Sequence, residues 1–352
     1  MHSVKGHHES TTLEIAHHAR VSTATVSRAL NRVPNVDPQL AERVWKTVDE
    51  LGYYPNTQAR FLVSGRSRVL GLIVSEMVNP FFPEVVQSFE DIAVQHDYEI
   101  LLSSTVHDPK RWELAVRRMI ERRVEGVALL TFAEEDSLTE KLHSRKISLV
   151  SLDDAPSARS GRKIQVDYQN GIREAVQHLA ALGHVRIAFV AGPSHLKSSQ
   201  ERKAAFERSM KEVGLEISSD LIVVGDHSLE GGIRALPPLM SLVDPATAVM
   251  CSNDMTAIGV MRQAYDSGIE VPRELSIVGF DGIRLTQFMT PPLTTVQIPQ
   301  VELAKLAFTA LREQIEFEHK DDSEYVIPTQ LVVRRSTATV LKSEHKRQLK
   351  SS

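Results

Sequence analysis

From residue 69 onward the chain repeats one unit, a short apolar run followed by an amphipathic stretch. The runs are "VLGLIVS", "YEILLSST", "GVALLTF", "ISLVSLD", "RIAFVAG", "LIVVGD", "AVMCSN" and "LSIVGFD". Strands alternating with helices make parallel sheets, because a parallel neighbour needs a long crossover and a helix supplies it. The runs are too many for one compact sheet, so the spacing predicts an α/β body of two doubly wound lobes.

In open α/β sheets ligands bind beyond the carboxyl ends of the strands, so the residues just after each run are candidates. Phe81 and Phe82 follow the first run and offer apolar faces for a ring. Ser198 and Arg202 follow "AFVAG", Asn253 and Asp254 stand in "SND", and Asp281 closes "VGFD". An aromatic plate ringed by amide, guanidinium and carboxylate suits a monosaccharide, sugar acid or related polyol, whose hydroxyls both donate and accept. The alternative for Asn253 and Asp254 is that they cap the helix that follows. His178 and His184 are six residues apart, which does not place them on one helical face, and they read as structural.

The first 68 residues differ from the body. They carry nine Lys/Arg and six Asp/Glu, a balance of +3 against −4 for the whole chain, which leaves −7 for the rest. A basic head on an acidic body fits a segment that meets a polyanion. "TLEIAHHA" has helical periodicity from Thr12. Ser22 is placed to cap a second helix, Thr23 to Leu30, with Val26, Ala29 and Leu30 facing inward. A third begins at Pro38 and runs through "QLAERVWKTVDELGY" with Leu40, Val44, Trp45, Val48 and Leu51 inward. Two short helices and a brace form either a helical hairpin or a helix-turn-helix unit. In the second case Thr23, Ala24, Thr25, Ser27 and Arg28 face the major groove, hydroxyls reaching phosphates and base edges and Arg28 a guanine.

"TLEIAHHARVSTATVSRALN", then "LGYYPN", "ARFLVSGRS" and "IPTQLVVRRST", resemble the LacI/GalR family of bacterial transcription regulators over residues 12 to about 338. The resemblance implies an N-terminal three-helix DNA-binding domain (1–55), a hinge helix (56–66) and a periplasmic-binding-protein-like core (67–339). It implies lobes of 67–166 with 293–326 and of 167–292 with 327–339, joined by crossovers near 166, 292 and 326, and a polar tail over 340–352. It assigns DNA contacts to Thr12, Ser22, Thr23, Ala24, Thr25, Ser27, Arg28, Asn31, Tyr53 and Asn56, with Leu62 as a minor-groove wedge beside Ala59. It assigns the effector to Arg202, Asn253 and Asp281, with His227 at a position that is often aromatic. Two departures stand out. Phe61 occupies a commonly polar position, and Arg20 replaces the usual turn glycine, a strain on the order of 1 kcal/mol if its backbone is left-handed.

Several classes are excluded on the sequence. No apolar run is long enough for a membrane span, and the N-terminus lacks a secretory signal, so a cytoplasmic location is expected. The single cysteine, Cys251, sits in an apolar run and reads as a buried hydrophobe. The body lacks G-x-G-x-x-G, G-x-x-x-x-G-K-[ST], G-x-S-x-G and H-E-x-x-H, so it is not expected to be an enzyme or to need a cofactor or metal. An exported sugar-binding protein would share the body but have no use for the head. What is expected is a homodimer on double-stranded palindromic operator DNA, answering to a sugar-like effector or, alternatively, a purine or nucleoside. The tail lacks the leucine repeat of a tetramer.

Overall fold

The computed structural model describes residues 12–30, 36–53, 66–106, 108–131, 136–153, 162–317 and 324–340. Asn31, Asn56, Ala59, Phe61 and Leu62, and most of the expected hinge and tail, lie outside them. The chain forms two compact units, Met1–Arg68 and Val69–Ser352.

In the first unit α1 (Thr12–Ala19), α2 (Thr23–Leu30) and α3 (Pro38–Leu51) close over Ile15, Val26, Val44 and Val48. Each boundary has a local cause. Ser22 Oγ accepts the Thr25 N–H at 3.1 Å and starts α2. Asp37 accepts from Gln39 and Leu40, Pro38 occupies the first turn, and Gly52 at φ +58° ends α3. Between α1 and α2 the Val21 N–H donates to Ala16 O, and Arg20 takes φ +55°. The departure from glycine therefore leaves the left-handed turn in place, on a side chain that resists it.

The second unit holds two six-stranded sheets. The first runs β11-β5-β4-β3-β1-β2, where β1 is Val69–Val74, β2 Glu99–Ser104, β3 Gly126–Leu130, β4 Ser148–Leu152, β5 Arg162–Asp167 and β11 Glu324–Pro328. All its pairs are parallel. The second runs β12-β10-β9-β8-β6-β7, where β6 is Ile187–Ala191, β7 Ile222–Val224, β8 Ala248–Cys251, β9 Ser276–Asp281, β10 Thr294–Gln297 and β12 Gln330–Val332. Only β12 pairs antiparallel. The helices Phe81–Gln95 and Gln300–Phe317 share one face of the first sheet, with Phe89 and Phe308 in edge contact. In the second lobe Phe189 of β6 stacks on Phe206 of the helix Lys197–Glu212. Cys251 is fully buried, and burial pushes its thiol upward.

Two crossovers fall later than the sequence placed them. β10 pairs with β9 in the second sheet, so the chain changes lobe after Gln297 and not near 292. The third crossing is at Thr329, between β11 and β12, not near 326. Val340 is not loose tail, since its N–H donates to Leu182 O. Thr329 ties the crossings together: its hydroxyl donates to Asp167 O at 2.6 Å and accepts the Gly171 N–H at 3.0 Å.

Candidate functional site

At α2 and its cap, Ser22, Thr23, Ala24 and Arg28 are exposed and Thr25 and Ser27 half-buried. The hydroxyls and Arg28 thus share the outward side, opposite Val26 and Ala29, because inward positions recur three to four residues apart. Thr25 and Ser22 also bond to each other, Oγ to Oγ1 at 2.9 Å. Thr12 is half-buried at the start of α1. Tyr53 packs against the head's core, which restricts any contact it makes outward.

The second candidate site lies where β1, β6, β8 and β9 end. Phe81 and Phe82 start the helix after β1 and meet edge to face, 5.3 Å between centroids, as one wall of a cavity. Arg202, Asn253, Asp281, Ser198 and His227 line the same cavity, so all seven effector candidates converge on it. Its volume is 30 Å³, on the order of one or two water molecules, and too small for a sugar ring.

Arg202 and Asp281 form its charged floor, Nη1 to Oδ1 at 3.3 Å, with side chains 2% and 4% exposed. The guanidinium also donates to Ser252 O and lies 4.1 Å from the Phe280 ring centroid and 5.1 Å from that of Tyr168. Asp281 takes φ +108° ahead of Gly282 at +74°, a backbone that a carboxylate-bearing residue adopts only when its surroundings hold it. Gln300 helps, donating to Asp281 O and Gly282 O. Burial pushes the Asp281 carboxyl up to about 6, against the pull of Arg202 and of the Asn79 amide, while the charge of Glu76 adds to the rise.

Asn253 lines the cavity and is also a cap, its Oδ1 accepting the Thr256 N–H at 2.9 Å and its Nδ2 donating to His227 O. His227 sits at φ +64° with Nε2 2.9 Å from Ser252 Oγ. Its ring lies on bare Gly192 backbone, where a Cβ would stand 1.9 Å from Nε2. Asp254 is a correction. It is fully buried and faces away from the cleft, accepting from Thr295 Oγ1 at 2.6 Å and the Ile283 N–H at 2.9 Å. His178 and His184 hold the segment that follows β12, bonding Thr337 and Ala338.

Sequence reasoning missed Ser75, Glu76, Asn79 and Leu196, which also line the cavity. Their one signal was position, directly after β1 or before the helix of Arg202. Asn79 reaches across the lobes, Nδ2 to Asp281 Oδ2 at 3.4 Å, and Glu84 Oε1 accepts the Arg284 N–H at 3.0 Å. Beyond Ser198 lies a recess of 180 Å³ with Asp153, Tyr168, Lys197 and Glu201 on its walls. There the Tyr168 hydroxyl donates to Asp153, and burial raises both groups.

The sequence pattern of "Bacterial regulatory proteins, lacI family" matches residues 11–56, and that of a periplasmic binding protein-like domain matches 176–337. Catabolite control protein A of Priestia megaterium is 32% identical over 93% of this chain and 99% of its own length. The chain belongs to the LacI family. Another relative of this LacI-family member is the HTH-type transcriptional repressor CytR of Escherichia coli, 32% identical over 93% of this chain and 96% of CytR. Among solved structures, a Lac repressor dimer bound to operator and an anti-inducer superposes with a TM-score of 0.81 at 25% identity, covering 94% of this chain and all of that one. A CelR regulator in complex with cellobiose gives 0.70 at 26% identity, covering 93% and 99%. The fold, a helix-turn-helix head and a two-lobed α/β core, is that of the family, and the chain is a DNA-binding transcriptional regulator. Among the described residues no helix is long and apolar enough to cross a membrane, and no group of three or more His, Cys, Asp or Glu could hold a metal ion.

Proposed function

We propose that this regulator is a repressor of carbohydrate uptake or catabolism genes, and that a sugar-like effector in the core cleft sets its operator affinity. Two heads of a homodimer would sit on a pseudo-palindromic operator in the cytoplasm, with no reaction catalysed and no cofactor. Thr23, Ala24, Thr25, Ser27 and Arg28 would read the major groove, with Thr12, Ser22, Asn31, Tyr53 and Asn56 around them and Ala59 and Leu62 in the minor groove.

The observation that carries the effector reading is the buried Arg202–Asp281 pair beside neutral hydrogen-bonding groups, a floor that hydroxyls can satisfy from both sides. Solved neighbours holding cellobiose and ribose support it. Phe81 and Phe82 favour the second reading, a purine or nucleoside, because they offer ring contact.

The test begins with operators selected from a random pool. Arg28→Ala is expected to cost about 1–3 kcal/mol and to relax preference at one base pair in each half-site. Mobility shifts on base-substituted operators read this, and equal weakening on every sequence would make Arg28 a phosphate contact only.

A further inference from the structure

We infer that the cleft takes an effector without an anionic group, an uncharged polyhydroxylated ring or one bearing an amine, and that Glu76 sets this preference. The inference rests on the sugar-like reading above and sharpens it, since that reading admits sugar acids and sugar phosphates as readily as neutral sugars.

The charges around the cavity carry it. Two carboxylates, Glu76 and Asp281, face one guanidinium, Arg202. The Arg202 charge is already committed: it is paired with Asp281, donates to Ser252 O and lies over two rings. Glu76 forms no ion pair among the described residues, and its charge is felt at Asp281. The adjoining recess repeats the imbalance, with Asp153 and Glu201 against Lys197. Across both spaces four carboxylates face two fixed cations, Arg202 and Lys197, beside the imidazole of His227.

A phosphate or carboxylate enclosed there would lose its water and meet the Glu76 charge, while Arg202, already paired with Asp281, has little left to offset that penalty. Hydroxyls meet no such penalty. Ser75, Ser198, Asn79 and Asn253 give neutral partners, and an ammonium gains from Glu76 directly.

The test uses the full-length protein and matched ligands: glucose with glucosamine, gluconate and glucose 6-phosphate, ribose with ribose 5-phosphate, and adenosine with its monophosphate. By calorimetry the binder is expected among the neutral or aminated members, with its anionic counterpart at least about tenfold weaker and the gap narrowed in Glu76→Gln. An anionic member that binds as tightly as its neutral counterpart, or more tightly, overturns the inference. A second measurement needs no ligand. The carboxyl carbon of Asp281, followed by NMR, is expected to titrate near 6 and to move to lower pH in Glu76→Gln. An unmoved midpoint would show that the Glu76 charge does not reach the cleft, and overturns the inference as well. If nothing in the panel binds, the sugar-like reading fails, while the titration still decides the role of Glu76.

Discussion

Arg20 shows how one residue can be strained without being misplaced. Its φ of +55° costs an L-residue about 1–2 kcal/mol, and its exposed side chain gains little in return. Glycine would remove the strain but add roughly 0.5–1 kcal/mol of chain entropy to the unfolded state. The balance favours Arg20→Gly by about 0.5–1 kcal/mol, expected as slower amide hydrogen exchange in α1 to α3. Faster exchange would mean that the Arg20 side chain stabilises the head. The same backbone region recurs at His227 and Asp281, both in the cleft wall, where the strain fixes groups that a ligand would meet. Neighbouring residues can also differ in kind: Asn253 lines the cleft while Asp254 ties β10 and the 281–283 turn into the core. "SND" gave no hint of that division, since both residue types cap helices and both bind ligands.

At the scale of elements the sequence was a good guide to order and a poor one to allegiance. Alternating apolar runs and amphipathic stretches revealed the parallel sheets, and Ser22 and Pro38 mark helix starts in the structure as in the sequence, with Asp37 added as the cap of α3. Which lobe a strand joins was hidden. β10 is only the four residues Thr294–Gln297, too short and too polar to show a lobe by pattern, and its pairing with β9 is set by tertiary contacts. Glu76 and Asn79 went unread because a loop after a strand carries no periodicity to separate lining from solvent-facing residues. The crossings themselves leave a checkable trace in Gly171. A Cβ there would stand 2.3 Å from Val296 Cγ1 and 2.6 Å from Thr329 Oγ1, joining all three crossings at one point. Gly171→Ala is therefore expected to destabilise the core by about 1–3 kcal/mol through overpacking. Urea unfolding would read it, and a midpoint equal to the wild type would show that the crossings can separate at no cost.

For the core as a whole, a cavity of 30 Å³ means that a ligand of the proposed sugar-like class would enter this cleft only when the lobes part. Among the hydrogen bonds that oppose parting are Asn79 to Asp281 and the Arg284 N–H to Glu84, each worth about 0.5–1.5 kcal/mol net. Both acceptors are carboxyls raised above their ordinary range in the closed form, chiefly by burial, Asp281 to about 6. If parting the lobes returns them to water, the open form holds their protons less tightly. Closure then takes up protons, so acid favours the closed form and alkali the open one, even though a protonated carboxyl is the weaker acceptor. The effect is expected between about pH 4, the ordinary carboxylate value, and the Asp281 value near 6. Spin labels placed on the two lobes of the unliganded protein should report a shorter mean distance at pH 5 than at pH 7.5. Glu84→Gln removes one titrating group while keeping an acceptor for Arg284, and is expected to flatten part of that dependence. A distance that lengthens on acidification would mean that the lost hydrogen bonds outweigh the proton uptake, and that the burial of Asp281 and Glu84 does not depend on closure.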